Sequence, residues 1–371
     1  MADGYPYGYQ IDGRVFVRYY GLDREVIIPK GVTVIGEEAF MDREKLISVD
    51  LPYGVKAIED RAFCGCRNLI SVSMPGSVRV IGEGAFTHCD SLISITFPGR
   101  MDAIGEWAFY CCKSLASVAF PDGMEEIPDA AFMFCSGLKS VTIPSGVKRI
   151  GFSAFYGCSA LASVTIPDGV KKIGHGAFNG CSGLTSLTIP DSVTDIGETA
   201  FSGCKGLADD DGFVIRNGIL FSWHGNGSEV TIPEGVRIIG QEAFYYKKNI
   251  TSVTIPSGVT RIGYGAFNSC TGLKSVDIPA GVSEIGKYAF EKCGSLVSVT
   301  IPGSVTEIGE EAFRGCGSLT TVTIPDSVAE IDDWAFRDCS KVTVICREGS
   351  YAHRFCVKHD LPCVFDPPGI G

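Results

Sequence analysis

Basic residues, histidine, tryptophan and long apolar runs are all scarce in this sequence. Lys and Arg number 32 against 43 Asp and Glu, a net charge of −11. That balance argues against nucleic acid or an anionic membrane as the main partner, because both need a basic footprint. No apolar run approaches the roughly 18 residues of a membrane span, so membrane insertion is not expected. The opening MADGYPYGYQ has neither a basic leader nor an apolar stretch, so no secretory signal is expected in it. Disorder is excluded from the other side: 45% of residues are apolar and only 20% are charged.

Glycine is plentiful, 46 of 371 residues, and its excess is periodic. The dipeptide Ala-Phe recurs with Phe at 40, 63, 86, 109, 132, 155, 178 and 201, always 23 residues apart. It resumes at Phe244, Phe267, Phe290, Phe313 and Phe336 with the same step, thirteen units in all. A fixed period of this length is the signature of a stacked repeat.

Residues 143–165 represent the unit. Ser163-Val164-Thr165-Ile166 alternates polar and apolar, which predicts a short half-buried strand. The following Pro167 has no N–H for a ladder and ends it. Gly151 after Ile150 suits either a positive φ or a close approach between coils. Ala154-Phe155-x-x-Cys158 predicts one turn of helix or 3₁₀ at most. One unit cannot hide its apolar side chains, but stacked copies bury Phe, Leu, Ile and Val in internal columns. The expected body is a repeat solenoid of thirteen 23-residue coils, with one short parallel strand per coil and otherwise mostly irregular.

Leu161-Ala162-Ser163-Val164-Thr165-Ile166-Pro167, followed by the V-x-x-I-G-x-x-A-F-x-x-C pattern, resembles the treponemal-type or BspA-like leucine-rich repeats. The resemblance covers nearly the whole chain. It implies a curved, right-handed leucine-rich-repeat solenoid of β/α type with strands on the concave side. It also implies a bacterial surface or adhesin-like protein, some relatives being known to bind host matrix proteins. Departures are few: Glu59, Pro128 and Asp332 stand for the Gly, Arg43 and Lys247 for the Cys, Ile250 and Val342 for the Leu. Apart from Pro128 they fall at or near the ends of an array, where coils are expected to deviate.

The gap between Phe201 and Phe244 aligns residues 215–244 with 11–40. Each stretch predicts a hairpin, turning near Asp12-Gly13 and at Asn217-Gly218. The expected organisation is a hairpin cap over 1–29, an array over 30–207, a hairpin joint over 208–233, a second array over 234–346 and a cap over 347–371. The two arrays are expected to stack as one solenoid, although Asp209-Asp210-Asp211-Gly212 could break it. The closing cap is read as a helix started by Ser350 and running to about Lys358, then a strand after Pro362.

Of the 16 Cys, eleven occupy one unit position: 66, 89, 112, 135, 158, 181, 204, 270, 293, 316 and 339. They read as an internal ladder of reduced thiols that serves the coil-turn backbone, as Asn does in other leucine-rich repeats. Reduced thiols point to a cytosolic or anaerobic setting, in tension with the surface address the resemblance implies. The tail offers Cys346, His353, Cys356, His359 and Cys363, but Cys356 reads as the inner face of the cap helix and Cys363 as part of an apolar strand, so no metal site is expected. His88, His175 and His224 read as isolated surface residues. Gly82-Glu83-Gly84 and Gly174-His175-Gly176 are products of the repeat, without the strand and helix that a phosphate loop needs. No nucleophile elbow stands out and the carboxylates are scattered. No catalysis and no cofactor are expected.

Two surfaces are left as candidates for binding. The outward strand positions are nearly all Ser and Thr, as at Ser140, Thr142, Ser163, Thr165, Ser252 and Thr254. More informative are the variable slots flanking Ala-Phe, which hold Trp107, Tyr110, Met133, Phe134, Phe152 and Tyr156, and later Tyr245, Tyr246, Tyr264, Tyr288 and Trp334. Stacked coils would align the first six along one edge, and contiguous exposed aromatics mark contact sites. The expected function is a non-catalytic scaffold for a protein or glycan ligand, on the cell surface or secreted by resemblance, or else an intracellular interaction scaffold. The competing reading is a structural spacer in a larger surface protein. If Trp107, Tyr110, Phe134 and Phe152 are each more than half covered by their own chain, the argument from an exposed aromatic patch fails and the spacer reading gains.

Overall fold

The computed structural model describes residues 8–121 and 123–365. The parts of the two end caps expected at 1–7 and 366–371 lie outside the described residues. The chain divides into two compact units, Met1–Leu207 and Ala208–Gly371.

Each unit is a β-solenoid whose coils pair at an offset of 23 residues, except at the hairpins and the closing strands, where the offset is 19 or 22. Ser117, for example, lies between Ser94 and Ser140 in a parallel ladder. The repeated strand is the one the alternation predicts, as at Ser140–Thr142, with its central Val turned inward and its Ser and Thr outward. A second strand of two residues also recurs in every full coil, as at Arg149–Ile150, so a coil has two strands and not one. Two residues are too few to show an alternation in sequence. The number of turns is also slightly higher than thirteen. The strands of the first type number eight in the first unit, from Glu25–Ile27 to Ser186–Thr188. They number seven in the second, because Thr343–Cys346 and Cys363–Phe365 continue the stack beyond the last Ala-Phe.

The Ala-Phe segment is a run of tight turns and contains no helix. Residues two before and two after the Phe take positive φ in most coils, as at Ser153 (51°) and Gly157 (72°), and left-handed residues cannot propagate a right-handed helix. The glycine after Ile is explained by close approach of coils: a Cβ on Gly174 would lie 2.6 Å from the Phe152 nitrogen. Both hairpins form, Tyr9–Asp12 with Val15–Tyr19 and Phe213–Arg216 with Ile219–Trp223. At the second, Asn217 and Gly218 both have positive φ, as a type I′ turn requires. The closing helix Tyr351–His359 is capped by Ser350, whose Oγ accepts the His353 N–H at 3.1 Å. No helix among the described residues is long and apolar enough to cross a membrane.

Columns of identical residues make the core. In the first unit the rings from Phe16 to Phe201 stack at 5.0–5.7 Å. In the second they stack at 5.0–5.5 Å from Phe244 to Phe336. All these rings are buried. Each of the eleven ladder cysteines donates its S–H to the Phe carbonyl 26 residues earlier, at 2.9–3.2 Å. The thiol therefore ties each coil to the one before it. Burial pushes the Cys66 and Cys270 thiols up to about 12, so both stay protonated donors at neutral pH.

Candidate binding surface

The two faces offered by the sequence differ in relief. The strand face is a flat, in-register array: Ser140 pairs with Ser163 and Ser163 with Ser186, their side chains exposed. Ser and Thr dominate it, broken by Glu25, Asp50, Ala119, Glu229 and Asp277.

The Ala-Phe edge is varied. In the first unit the structure joins Trp107, Tyr110, Phe134 and Tyr156 into one row. Trp107 meets Tyr110 edge-on at 5.4 Å, Tyr110 meets Phe134 at 5.9 Å, and Phe134 meets Tyr156 at 5.2 Å. His88 extends this row from the preceding coil, 5.3 Å from Tyr110. Met133 occupies the same slot as Tyr110 and Tyr156 and is half-buried. Phe152 is separate from these rings and stacks on His175 at 5.8 Å.

The histidines read as isolated are thus engaged. His88 and His175 contact rings of adjacent coils, His175 also bonds the Thr199 hydroxyl, and His224 bonds Ser222. Sequence reasoning missed them because their partners lie in other coils or across a backbone turn. The usable signal was position: His88 occupies the same slot as Phe134, one unit position after Tyr110's.

Three members of the row, His88, Trp107 and Phe134, sit on the left-handed backbone that recurs at these positions in most coils. Trp107 and Phe134 have φ of 59° and 61°, at positions where other coils carry Gly84, Gly157 or Gly176. Bulky side chains are rare there, and the conformation costs about 1–2 kcal/mol per residue. Coverage is the other relevant fact. Trp107 is 39% exposed, Phe134 36% and Phe152 49%, and Tyr110 is half-buried. More than half of each is therefore covered, largely by the ring contacts above.

In the second unit the aromatics form separate pairs. Tyr245 and Tyr246 touch at 5.9 Å and are 50% and 57% exposed. Tyr264 and Tyr288 touch at 5.1 Å. The Tyr288 hydroxyl donates to Glu310 at 2.9 Å, and this bond pushes its phenol up to about 12. Lys248 lies over the Tyr246 ring at 4.1 Å and holds that phenol below its ordinary value through a hydrogen bond. Trp334 carries the Arg337 guanidinium over its ring at 5.5 Å.

The tail residues with metal-ligand chemistry are engaged elsewhere. Cys346 and Cys356 are buried in the core, His353 Nδ1 accepts the Gly349 N–H at 3.0 Å, and His359 lies 3.1 Å from Asp333. Among the described residues no group of three or more His, Cys, Asp or Glu is placed to hold a metal ion.

The sequence profile of the BspA-type leucine-rich repeat region matches residues 10–139, 125–210 and 216–343. This chain belongs to the BspA-type leucine-rich repeat family. Among solved structures, this BspA-type chain is similar to a leucine-rich cell surface protein from Faecalibacterium prausnitzii, with 29% identity, 93% and 96% of the two chains covered, and a TM-score of 0.62. It is also similar to a leucine-rich repeat protein from Bacteroides ovatus, with 26% identity, 97% and 98% coverage and a TM-score of 0.61. The pneumococcal vaccine antigen PcpA shares the fold at 18% identity, 96% coverage of each chain and a TM-score of 0.51. No curated protein matches the chain.

Proposed function

We propose that this BspA-type chain is a non-catalytic binding scaffold that engages a protein or glycan through the aromatic row on the Ala-Phe edge of its first unit. The observation that carries this reading is the set of edge-on ring contacts that joins Trp107, Tyr110, Phe134 and Tyr156 across three coils. The continuous row Trp107, Tyr110, Phe134 and Tyr156 supplies the rigid amphipathic anchors common at interfaces. The exposed Tyr245, Tyr246 and Tyr264 make a second, smaller contact region. A bacterial cell-surface role is supported by the name of the Faecalibacterium relative.

The spacer reading has one observation in its favour: Trp107, Tyr110, Phe134 and Phe152 are each more than half covered, the condition under which an exposed patch fails as an argument, so the row serves binding only as far as its ring edges remain open. A binding screen separates the two. Wild type and a Trp107→Gly, Tyr110→Ala, Phe134→Gly variant are passed over immobilised extracellular-matrix proteins and a glycan array. Glycine at 107 and 134 suits the backbone, so the variant should stay folded. A ligand held by wild type and lost by the variant supports the row. Ligands held equally by both reject the row, and no ligand for either favours the spacer.

A further inference from the structure

Pro128 sits where most coils have a glycine, and the consequence is local. In the coils on either side that residue donates its N–H to the preceding coil: Gly105 to the Ile81 carbonyl and Gly151 to the Ile127 carbonyl, both at 2.8 Å. Proline has no N–H. The ladder of two-residue strands stops there. One sheet ends at Ala103–Ile104 and the next begins at Glu126–Ile127.

The break is one-sided. Across the same two coils the Ser94, Ser117 and Ser140 ladder is continuous. The Ala-Phe edge is closed as well, by Trp107 N–H to Asp129 O at 3.1 Å and Phe109 N–H to Ala131 O at 2.8 Å. Two coils are thus joined along two sides and parted along the third.

The parted side is a cleft of about 930 Å³, near the top of the ~300–1,000 Å³ range of ligand pockets. Its walls are complementary to a polypeptide backbone. In the coil before, the Arg79 carbonyl accepts the N–H groups of Asp102 and Ala103. The corresponding Asp102 carbonyl receives neither the Glu125 nor the Glu126 N–H, and among the described residues no backbone donor reaches the Ile104 carbonyl across the break. One wall therefore offers unpaired acceptors and the other unpaired donors. Met101, Ile104 and Met124 show 7–9% of their surface at the floor, where most residues of these columns are fully buried. Methionine adapts its shape readily to what packs on it.

Charge sets the outward position. Three carboxylates of this column pair with a base in an adjoining coil, Glu126 with Arg149 at 3.0 Å, Asp195 with Lys172 at 2.7 Å and Glu284 with Arg261 at 3.0 Å, whereas Glu307 and Glu330 face each other. Glu126 has such a partner on one side and the cleft on the other.

We infer that the cleft between Ala103–Ile104 and Glu126–Ile127 is a strand-addition site for an extended segment of a partner polypeptide, with apolar side chains directed to Met101, Ile104 and Met124 and a basic side chain facing Glu126. The segment's N–H groups meet the Asp102 and Ile104 carbonyls, and its carbonyls meet the Glu125 and Glu126 N–H groups. Main-chain bonds supply affinity and the side chains supply choice, as in other sheets that bind by added strands. The site is independent of the aromatic row.

The probe is the acetylated, amidated heptapeptide Ser-Gly-Val-Lys-Arg-Ile-Gly, the sequence of residues 145–151, which carries this apolar and basic pattern. Hydrogen exchange of the whole chain reads the Glu125 and Glu126 amides. In free wild type they should exchange at least tenfold faster than Lys148, whose N–H is bonded to the Glu125 carbonyl at 2.6 Å. The peptide at millimolar concentration should slow both at least tenfold, and its Arg→Glu analogue should not. Pro128→Gly restores the missing donor, should protect both amides without peptide, and should weaken the peptide at least tenfold. Glu125 and Glu126 as protected as Lys148 in free wild type, no response to the peptide, equal binding by Pro128→Gly, or equal protection by inorganic phosphate alone would each overturn the assignment.

Discussion

The two units share one core and differ at one edge. Along the slot just after the repeated Phe, three successive coils of the first unit carry Tyr110, Met133 and Tyr156, while in the second unit the four coils after the one with Tyr245 carry Asn268, Glu291, Arg314 and Arg337. The first set forms part of the aromatic row. The second forms an ionic network around two buried carboxylates. Glu291 meets Lys292 at 2.7 Å and accepts from Asn268 at 2.7 Å, and Glu311 meets Arg314 at 2.6 Å. The sheets differ too. The second unit has two unbroken seven-stranded sheets, whereas in the first the ladders are interrupted after Ser71–Ser73 and after Ala103–Ile104. The lesson is that the inward columns constrain only half of each coil. The outward slots vary freely as long as the backbone bonds between coils are kept, and at Pro128 even one of those is given up.

The largest effect should be indifferent to the unit. Phe155→Ala and Phe290→Ala each remove a fully buried ring from a stack and should each cost about 3–5 kcal/mol in denaturant unfolding. A loss under about 1 kcal/mol in either unit would break the claim of a common core.

The next separates the edges. Arg314→Met leaves Glu311 and Glu291 buried with fewer partners and should lower the midpoint of denaturant unfolding. Because Arg314 is a third exposed, raising NaCl from 0.05 to 1 M, a change of roughly twentyfold, should shrink that cost. Tyr156→Ala in the first unit should show a cost that salt does not change. Equal salt dependence in the two variants would erase the distinction.

The thiol ladder should again be common to both units. Cys158→Ala and Cys293→Ala each remove a buried S–H donor to a Phe carbonyl and should cost about 1–2 kcal/mol, with Ser retaining the donor. Its pH dependence follows from burial. The folded Cys66 and Cys270 thiols titrate near 12 and an unfolded thiol near 8.5. Between those values the folded chain holds protons that the unfolded chain has lost, so their contribution is complete below about 8.5 and declines as pH rises toward 12. Melting temperature should fall over that range, and less steeply in a Cys66→Ser, Cys270→Ser variant. Identical slopes would remove the thiols from the account.

The smallest effect tests the edge of the first unit. Trp107→Gly relieves a left-handed backbone worth about 1 kcal/mol while losing the Tyr110 contact, worth about the same, so stability should change by less than about 1 kcal/mol. Trp334→Gly in the second unit sits on backbone without positive φ and should be the more costly of the two by calorimetry.

Much of this was readable from residues because a repeat states each contact many times. The Phe column, the Cys ladder with its backbone role, both hairpin turns and the Ser350 cap follow from position and type alone. Other features escaped. The two-residue strand is too short to carry a period. Glu38, Trp107 and Tyr288 are not residues that announce a left-handed turn, yet the coil geometry puts them in one. Pro128 was visible as a departure, but its effect depends on a hydrogen bond to another coil. His88 lies about a full repeat away in sequence from the Tyr110 it meets, as Asn268 and Arg314 do from Glu291.

The sequence by itself determined the period, and with it the buried columns, because identical apolar residues 23 apart can leave water only by stacking on one another. Tertiary structure decided how the outward residues combine: which rings meet, which carboxylates are enclosed, and where two coils part. Those outcomes turn on distances between coils and on the sign of φ, and neither is written in the order of residues along a single turn.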